Sequence, residues 1–338
     1  MIPPVRILSR WMKQYPLAAR QTDMLRSDFD IKWDREKCFL PIAGAVAIVT
    51  KGCPIEEVPM EAYQEASKIA ALLAWRPTQR IYSFEPQFAE ALIKSSLKKI
   101  PVEALFHMPE WCCYLDFEAL DLPRLPSKFK ENLTGAWIHL EYDVNLKIWE
   151  LRIVALLEGV HLMPMALDLR SDDLEECIEM TIERTVSNMI KAGRKDWHII
   201  DTPKRINRPF FEICLNLLLY LCSDQPDIIG PEISSKPKPK KTKKGYRLFP
   251  PKHPSEFACG YRIGTALKEA KSMTEKGKMQ SARRSPIGHI RRAHWHTFRY
   301  GPGKKKTKVR WLPPIPVKLD LDKTPIPTII PVGSDRKN

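Results

Sequence analysis

Charge divides this chain into two parts that cannot fold by the same rules. From residue 231 to the end there are 27 Lys and Arg against 7 Asp and Glu, a net +20, whereas residues 1–230 carry a net −5. The formal +15 of the whole chain therefore belongs to its last third. Side chains of one sign at that density stay in water, so this third cannot form an ordinary core by itself. The remainder belongs to a chain of 338 residues that is 43% hydrophobic, long enough to close a full core. The expected organisation is a near-neutral body over 1–230, a Pro/Lys-rich linker over 231–258 and a basic region over 259–338. Such an asymmetry favours a polyanionic partner, nucleic acid first, over a general role in solubility.

Within the body, "MEAYQEASKIAALLAWR" (60–76) and "PQFAEALIKSSLKK" (86–99) have helical spacing and end before prolines. The period then changes. "EWCCYLDFEAL", "AWIHLEYDV", "KIWELRIVALLE" and "HLMPMALDLR" read as a four-stranded antiparallel meander from about 110 to 170. Ser171, Asp172 and Asp173 open a helix whose apolar stripe runs from Leu174 to Ile190, and a greasier helix follows over 208–222. Helices on either side of one antiparallel sheet make the fold class α+β.

The longest apolar run, "FFEICLNLLLYLC", is about 13 residues long and contains Glu212 and Asn216, short of the roughly 20 that a membrane span needs. No secretory pattern opens the chain, so the expected location is the cytoplasm. The eight cysteines form no CxxC pair, which argues for reduced, mostly buried thiols. Nucleotide-binding and hydrolase motifs of the GxGxxG, GxxxxGK[ST], GxSxG and HExxH types are absent.

In the basic third, "SSKPKPKKTKKGYRLFPPKHPSEF" (234–257) reads as an extended or disordered linker, and a short helix is expected from Tyr261 to about Lys271. "HIRRAHWHTFRYGPGKKKTKVRW" (289–311) reads as a β-hairpin with Lys304, Lys305 and Lys306 at its tip. At strand period Arg292, His294, His296 and Phe298 share one face, and Arg291, Trp295 and Arg299 share the other. A proline-spaced tail from Pro313 is expected to lie along the surface.

Several chemistries fit that hairpin. Two imidazoles at i, i+2 are a spacing used by zinc, but the neighbours are cations and no Asp, Glu or Cys is close in sequence. The same pair, with Arg292 or Arg310, suits acid and base work on a phosphodiester. Binding alone needs less: Arg and Lys on phosphates, with Trp295, Phe298, Tyr300 or Trp311 stacking on bases. A purely structural hairpin with solvated charges also satisfies the pattern. Binding is the reading adopted, with no metal, no cofactor and no built-in catalysis. Its residues are His289, Arg291, Arg292, His294, Trp295, His296, Lys304, Lys305, Lys306, Arg310 and Trp311. In the body, "PEWCCYLDF" (109–117) reads as a core strand carrying Trp111, Tyr114 and Asp116, and "LCSDQPDI" (221–228) as a helix end whose Asp224 and Asp227 could suggest acid/base work but more often terminate a helix. Cys112 and Cys113 are expected to face opposite sides of a strand.

"MPEWCCYLD", "YLCSDQPDI", "YRIGTAL" and "HIRRAHWHTFRYGPG…KVRWLPP", in this order and spacing, resemble the large anti-CRISPR proteins that mobile elements encode against the type V-A CRISPR effector nuclease, the family of the second such inhibitor. The similarity runs from about residue 72 to Val317, and its matching residues include Trp75, Arg76, Pro109, Cys112, Pro226, Tyr261, Gly264 and Pro313 besides the candidates above other than Asp224, Lys304, Lys305 and Lys306. The resemblance implies recognition of the effector's N-terminal segment during translation, in the bacterial cytoplasm; on that reading Trp111, Tyr114, Asp116 and Asp227 are the candidates for holding the peptide, where a cationic or amide-rich chain would find rings and carboxylates. Loss of the effector mRNA follows, with the ribosome or message as a second partner and a host ribonuclease as a third. The alternative, resting on charge alone, is an RNA- or DNA-binding regulator of a mobile element without a peptide partner.

Overall fold

The computed structural model describes residues 2–28, 30–53, 57–122, 132–144, 146–158, 161–193, 203–232, 236–243, 245–280, 289–291 and 293–317. Four helices come first: α1 Pro3–Gln14, α2 Ala18–Ser27, α3 Ile42–Thr50 and α4 Met60–Trp75. A seven-stranded sheet is then assembled from β1 Arg80–Phe84, β2 Cys112–Asp116, β3 Leu133–Asp143, β4 Ile148–Leu157, β5 His161–Asp168, β6 Ile228–Ile229 and β9 Ser255–Cys259. Helix α5 Pro86–Ile93 lies between β1 and β2 in sequence, and α6 Leu174–Lys191 and α7 Arg208–Cys222 follow β5.

The order across the sheet is β5-β4-β3-β2-β1-β9-β6. Strands β2 to β5 are the antiparallel meander expected from the sequence. It is only part of the sheet, because β1 pairs parallel with both β2 and β9. Burial on both faces explains the near-continuous apolar runs of these strands. One face holds Tyr82, Phe84, Cys113, Leu115, Ile138 and Ile153 against α5, α6 and α7. The other holds Ile81, Cys112, Tyr114, Trp137 and Val154 against α1, α3 and α4. Cys112 and Cys113 therefore do separate onto opposite faces, and burial raises both thiols well above their ordinary range. Seven of the eight cysteines are buried and Cys53 is exposed.

Helix α5 and the segment read as linker differ from expectation. Helix α5 ends at Ile93, where the sequence suggests 99: the buried Asn216 of α7 donates to the Ile93 and Ser95 carbonyls and closes the helix early. The segment read as linker carries a small hairpin, β7 Lys240–Thr242 with β8 Gly245–Arg247, and then β9, whose Phe257 and Cys259 enter the main core. Proline and lysine around β9 mask a five-residue strand that tertiary pairing supplies with neighbours on both sides.

Helix α6 is capped as expected, the Asp173 carboxylate accepting from the Glu175 and Glu176 N–H groups. The sheet also holds a buried polar group: Glu141 accepts from the Ile42 N–H at 2.9 Å and pairs with Arg152 Nε at 2.9 Å, tying α3 to β3 and β4. Beyond β9, α8 (Tyr261–Gln280) is longer than the sequence suggests. Two pairs of strands follow, β10 His289–Arg291 with β13 Ile315–Val317, and β11 His294–Tyr300 with β12 Lys306–Leu312. The tail beyond residue 317 lies outside the described residues.

Candidate nucleic-acid interface on the C-terminal hairpin

Strands β11 and β12 form the hairpin that the sequence predicts, but it begins at His294: His289–Arg291, read as part of its first strand, pair with β13 instead. Their register sets Trp295 opposite Trp311, His296 opposite Arg310, Phe298 opposite Lys308 and Tyr300 opposite Lys306. Period two then sorts the side chains. Trp295, Val309 and Trp311 point inward and are buried in the core against α5 and α7. The Trp295 indole N–H donates to Asn216 Oδ1 at 2.8 Å and that of Trp311 to Ser95 Oγ at 2.9 Å. Phe88 meets the Trp311 ring edge-on at 5.1 Å. Docking is completed by the Asp224 N–H, which donates to the Val309 carbonyl at 2.9 Å, and by Thr307, whose hydroxyl donates to Glu103 at 2.6 Å.

The opposite face looks outward. His294, His296 and Tyr300 are exposed there, Phe298 is half-buried, and Lys304, Lys305 and Lys306 stand exposed at the tip. His296 and Phe298 are in ring contact at 4.3 Å. The Arg310 guanidinium lies 5.7 Å from the Phe298 ring and the Lys308 ammonium 5.6 Å from the Tyr300 ring. Asp224, from the loop after α7, accepts from Arg310 at 2.6 Å and sits 3.0 Å from Lys308. Burial works to raise this carboxyl, but the hydrogen bonds from Arg310 and Lys308 outweigh it and hold it below the ordinary range. This face can therefore offer rings and cations together to a single-stranded polyanion.

Four of the sequence-predicted aromatics are not available for stacking. Trp295 and Trp311 hold the hairpin to the body. Trp111, 4% exposed, donates its indole N–H to the Arg35 carbonyl and packs on Phe39, while Tyr114, 2% exposed, packs 4.7 Å from Trp137. Burial in the core against α4 and the segment before α3 removes both rings from any peptide surface. Asp116 accepts from the Ser83 hydroxyl at 3.2 Å, and Asp227 accepts from the Arg262 N–H at 3.0 Å at the start of α8. These four peptide candidates thus do not converge on one site.

His289 and Arg291 lie in β10, and Arg292 lies outside the described residues. Sequence reasoning missed Lys308 and the counter-ion Asp224; the alternation of β12 opposite β11 was the available signal for Lys308, whereas Asp224 is brought in by tertiary contact alone. Among the described residues no group of three or more His, Cys, Asp or Glu is placed to hold a metal ion. The "YRIGTAL" motif and the glycine before it have a packing reason: Gly260 has φ +72° with the Phe88 ring against it, and a Cβ at Gly264 of the motif would strike the Glu85 carboxylate that caps α5.

Comparison with known proteins places these features in a family. An Escherichia coli protein described as Protein FinQ is 24% identical over 282 residues, covering 76% of this chain and 78% of its own. The crystal structure of AcrVA2 superposes with a TM-score of 0.62 at 19% identity, over 93% of this chain and 98% of that one, and shows the same fold. The profile of the AcrVA2-like family matches residues 82–319, from β1 through the whole sheet and both C-terminal strand pairs. This chain belongs to the anti-CRISPR type V subtype A2 family.

Proposed function

We propose that this anti-CRISPR protein acts during synthesis of its target. It recognises the nascent N-terminal segment of the type V-A effector in the bacterial cytoplasm and triggers loss of the effector mRNA. The observation that carries the nucleic-acid half is the outward face of the β11–β12 hairpin, where His296, Phe298, Tyr300, Lys308 and Arg310 stand on strands anchored by two buried tryptophans. Stacking and phosphate contact need such a face, and unstacked message is the form of RNA that fits it. The peptide half rests on family membership. In this reading the hairpin binds RNA and a host ribonuclease cuts it.

Co-expression tests the proposal. Recoding the effector's first codons to a different peptide is expected to protect its message, and unchanged message loss would refute nascent-chain recognition. Purified protein incubated with naked message, free of ribosomes and host nucleases, is expected to leave it intact; cleavage that disappears in His296→Ala would make the hairpin catalytic. A second reading, a nucleic-acid-binding regulator without a peptide partner, is favoured by the charge asymmetry alone. Calorimetry of the full chain with the effector's N-terminal peptide separates the two, since only the first expects heat of binding.

A further inference from the structure

The pairing register of β11 and β12 orders the outward face more closely than charge and aromaticity alone. His296 stands opposite Arg310, Phe298 opposite Lys308 and Tyr300 opposite Lys306, so three successive rungs each carry one ring on β11 and one cation on β12. The rung before them, His294 opposite Leu312, has no cation, and Tyr300 is the last residue of β11. Rings and cations thus form two columns, in which neighbours are two residues apart, or about 6.8 Å in an antiparallel strand. Trp295 and Trp311, buried on the inner face and hydrogen-bonded to Asn216 and Ser95, hold the columns in place.

That spacing decides what can lie along the face. Nucleotides stacked in a helix rise about 3.4 Å each, so a stacked strand would crowd two of them against every rung. A strand drawn out to roughly twice that rise presents one nucleotide per rung, with its bases separated and free to stack on rings. The cation column holds an oxyanion at this spacing within the chain itself. The Asp224 carboxylate bridges two rungs, accepting from Arg310 at 2.6 Å and lying 3.0 Å from Lys308, and its oxygens stand where those of a phosphate would. The two columns are also joined, since Arg310 leans toward the Phe298 ring and Lys308 toward the Tyr300 ring. An extended acidic peptide could meet the cations, but it would set carboxylates beside the negative faces of the rings.

We infer that the hairpin holds single-stranded RNA in register, as three consecutive unstacked nucleotides, with bases on His296, Phe298 and Tyr300 and phosphates on Arg310, Lys308 and Lys306. The bound strand displaces Asp224 from its two cations. This rests on the RNA reading of the face proposed above and adds what that reading leaves open: the face selects an extended strand and disfavours helical RNA.

The test is fluorescence anisotropy of the full chain with a labelled 12-nucleotide oligouridylate, which stacks on itself little, an oligoadenylate, which stacks well, and an RNA duplex of the same length. Oligouridylate is expected to bind severalfold more tightly than oligoadenylate, and the duplex most weakly. Tyr300 is 43% exposed, so Tyr300→Ala should keep the thermal midpoint; it is expected to weaken oligouridylate about tenfold with no change in salt slope. Lys306→Ala with Lys308→Ala is expected to lower the log–log salt slope by about 1.4, or about 0.7 for each phosphate lost. Poly-glutamate is expected to displace the strand far less well than unlabelled oligouridylate does. A slope that falls in the lysine variant, combined with equal affinity for the three RNAs or equal displacement by poly-glutamate, would overturn the register and leave the hairpin a simple polyanion site. Affinity and slope that ignore the two lysines would overturn the register and the RNA reading of this face together.

Discussion

At the residue scale the buried polar groups of the sheet make a measurable prediction. Burial holds the Glu141 carboxyl up at about 7 despite its partner Arg152, and burial together with Arg152 holds the His139 imidazole down at about 3. Their ordinary values are 4.5 and 6.5. Stability from Glu141 is thus complete below pH 4.5 and is lost as pH rises through 7, whereas that from His139 is complete above pH 6.5 and is lost as pH falls through 3. Between pH 4.5 and 6.5 the two slopes oppose each other, each at about 1.4 kcal/mol per pH unit at most. Urea unfolding of the unaltered chain is expected to give a nearly constant free energy over that window. His139→Gln removes one slope, so its stability should fall as pH rises through the window; parallel profiles would disprove the opposition. None of this was legible in "AWIHLEYDV", where His139 and Glu141 look like the polar face of a half-exposed strand. Only helix α3 on top of β3 and β4 turns that face inward.

At the scale of elements, the β11–β12 hairpin was written in its alternation, and the division of His294, His296 and Phe298 from Trp295 and Arg299 deduced from period two is the one observed. What alternation alone could not say is which face the body covers. Asn216 and Ser95 decide that, because they offer hydrogen-bond partners for the two indoles. On the outward face Asp224 neutralises part of the charge that a polyanion would meet. Asp224→Asn should cost little stability, under about 1 kcal/mol, because the pair is partly exposed. Freed of their carboxylate, Arg310 and Lys308 become available to phosphates. Binding of single-stranded RNA is then expected to tighten severalfold at low salt, and the log–log salt slope to steepen by about 1–2. An unchanged slope in anisotropy titrations would show that these cations do not touch the strand.

At the scale of the whole molecule the basic third is woven into the body. It supplies β9, which pairs with β1 and β6, and it supplies Phe257, Trp295, Val309 and Trp311 to the main core. A chain ended after residue 230 is therefore expected to lose its cooperative thermal transition in calorimetry, β1 becoming an open edge above an unfilled core. A native-like transition in that fragment would show that the sheet closes without β9. From the sequence alone followed the α+β class, the meander, the greasy helix α7, the capped start of α6, the hairpin and the charge division, because each is a local pattern of period, capping or composition. Tertiary structure decided the parallel pairings of β1 and β9, the burial of Trp111, Tyr114, Trp295 and Trp311, and the meeting of Asp224 with Arg310. Those outcomes depend on which surfaces meet across long stretches of chain, and a five-residue strand or a single aromatic carries no local mark of the neighbour that will cover it.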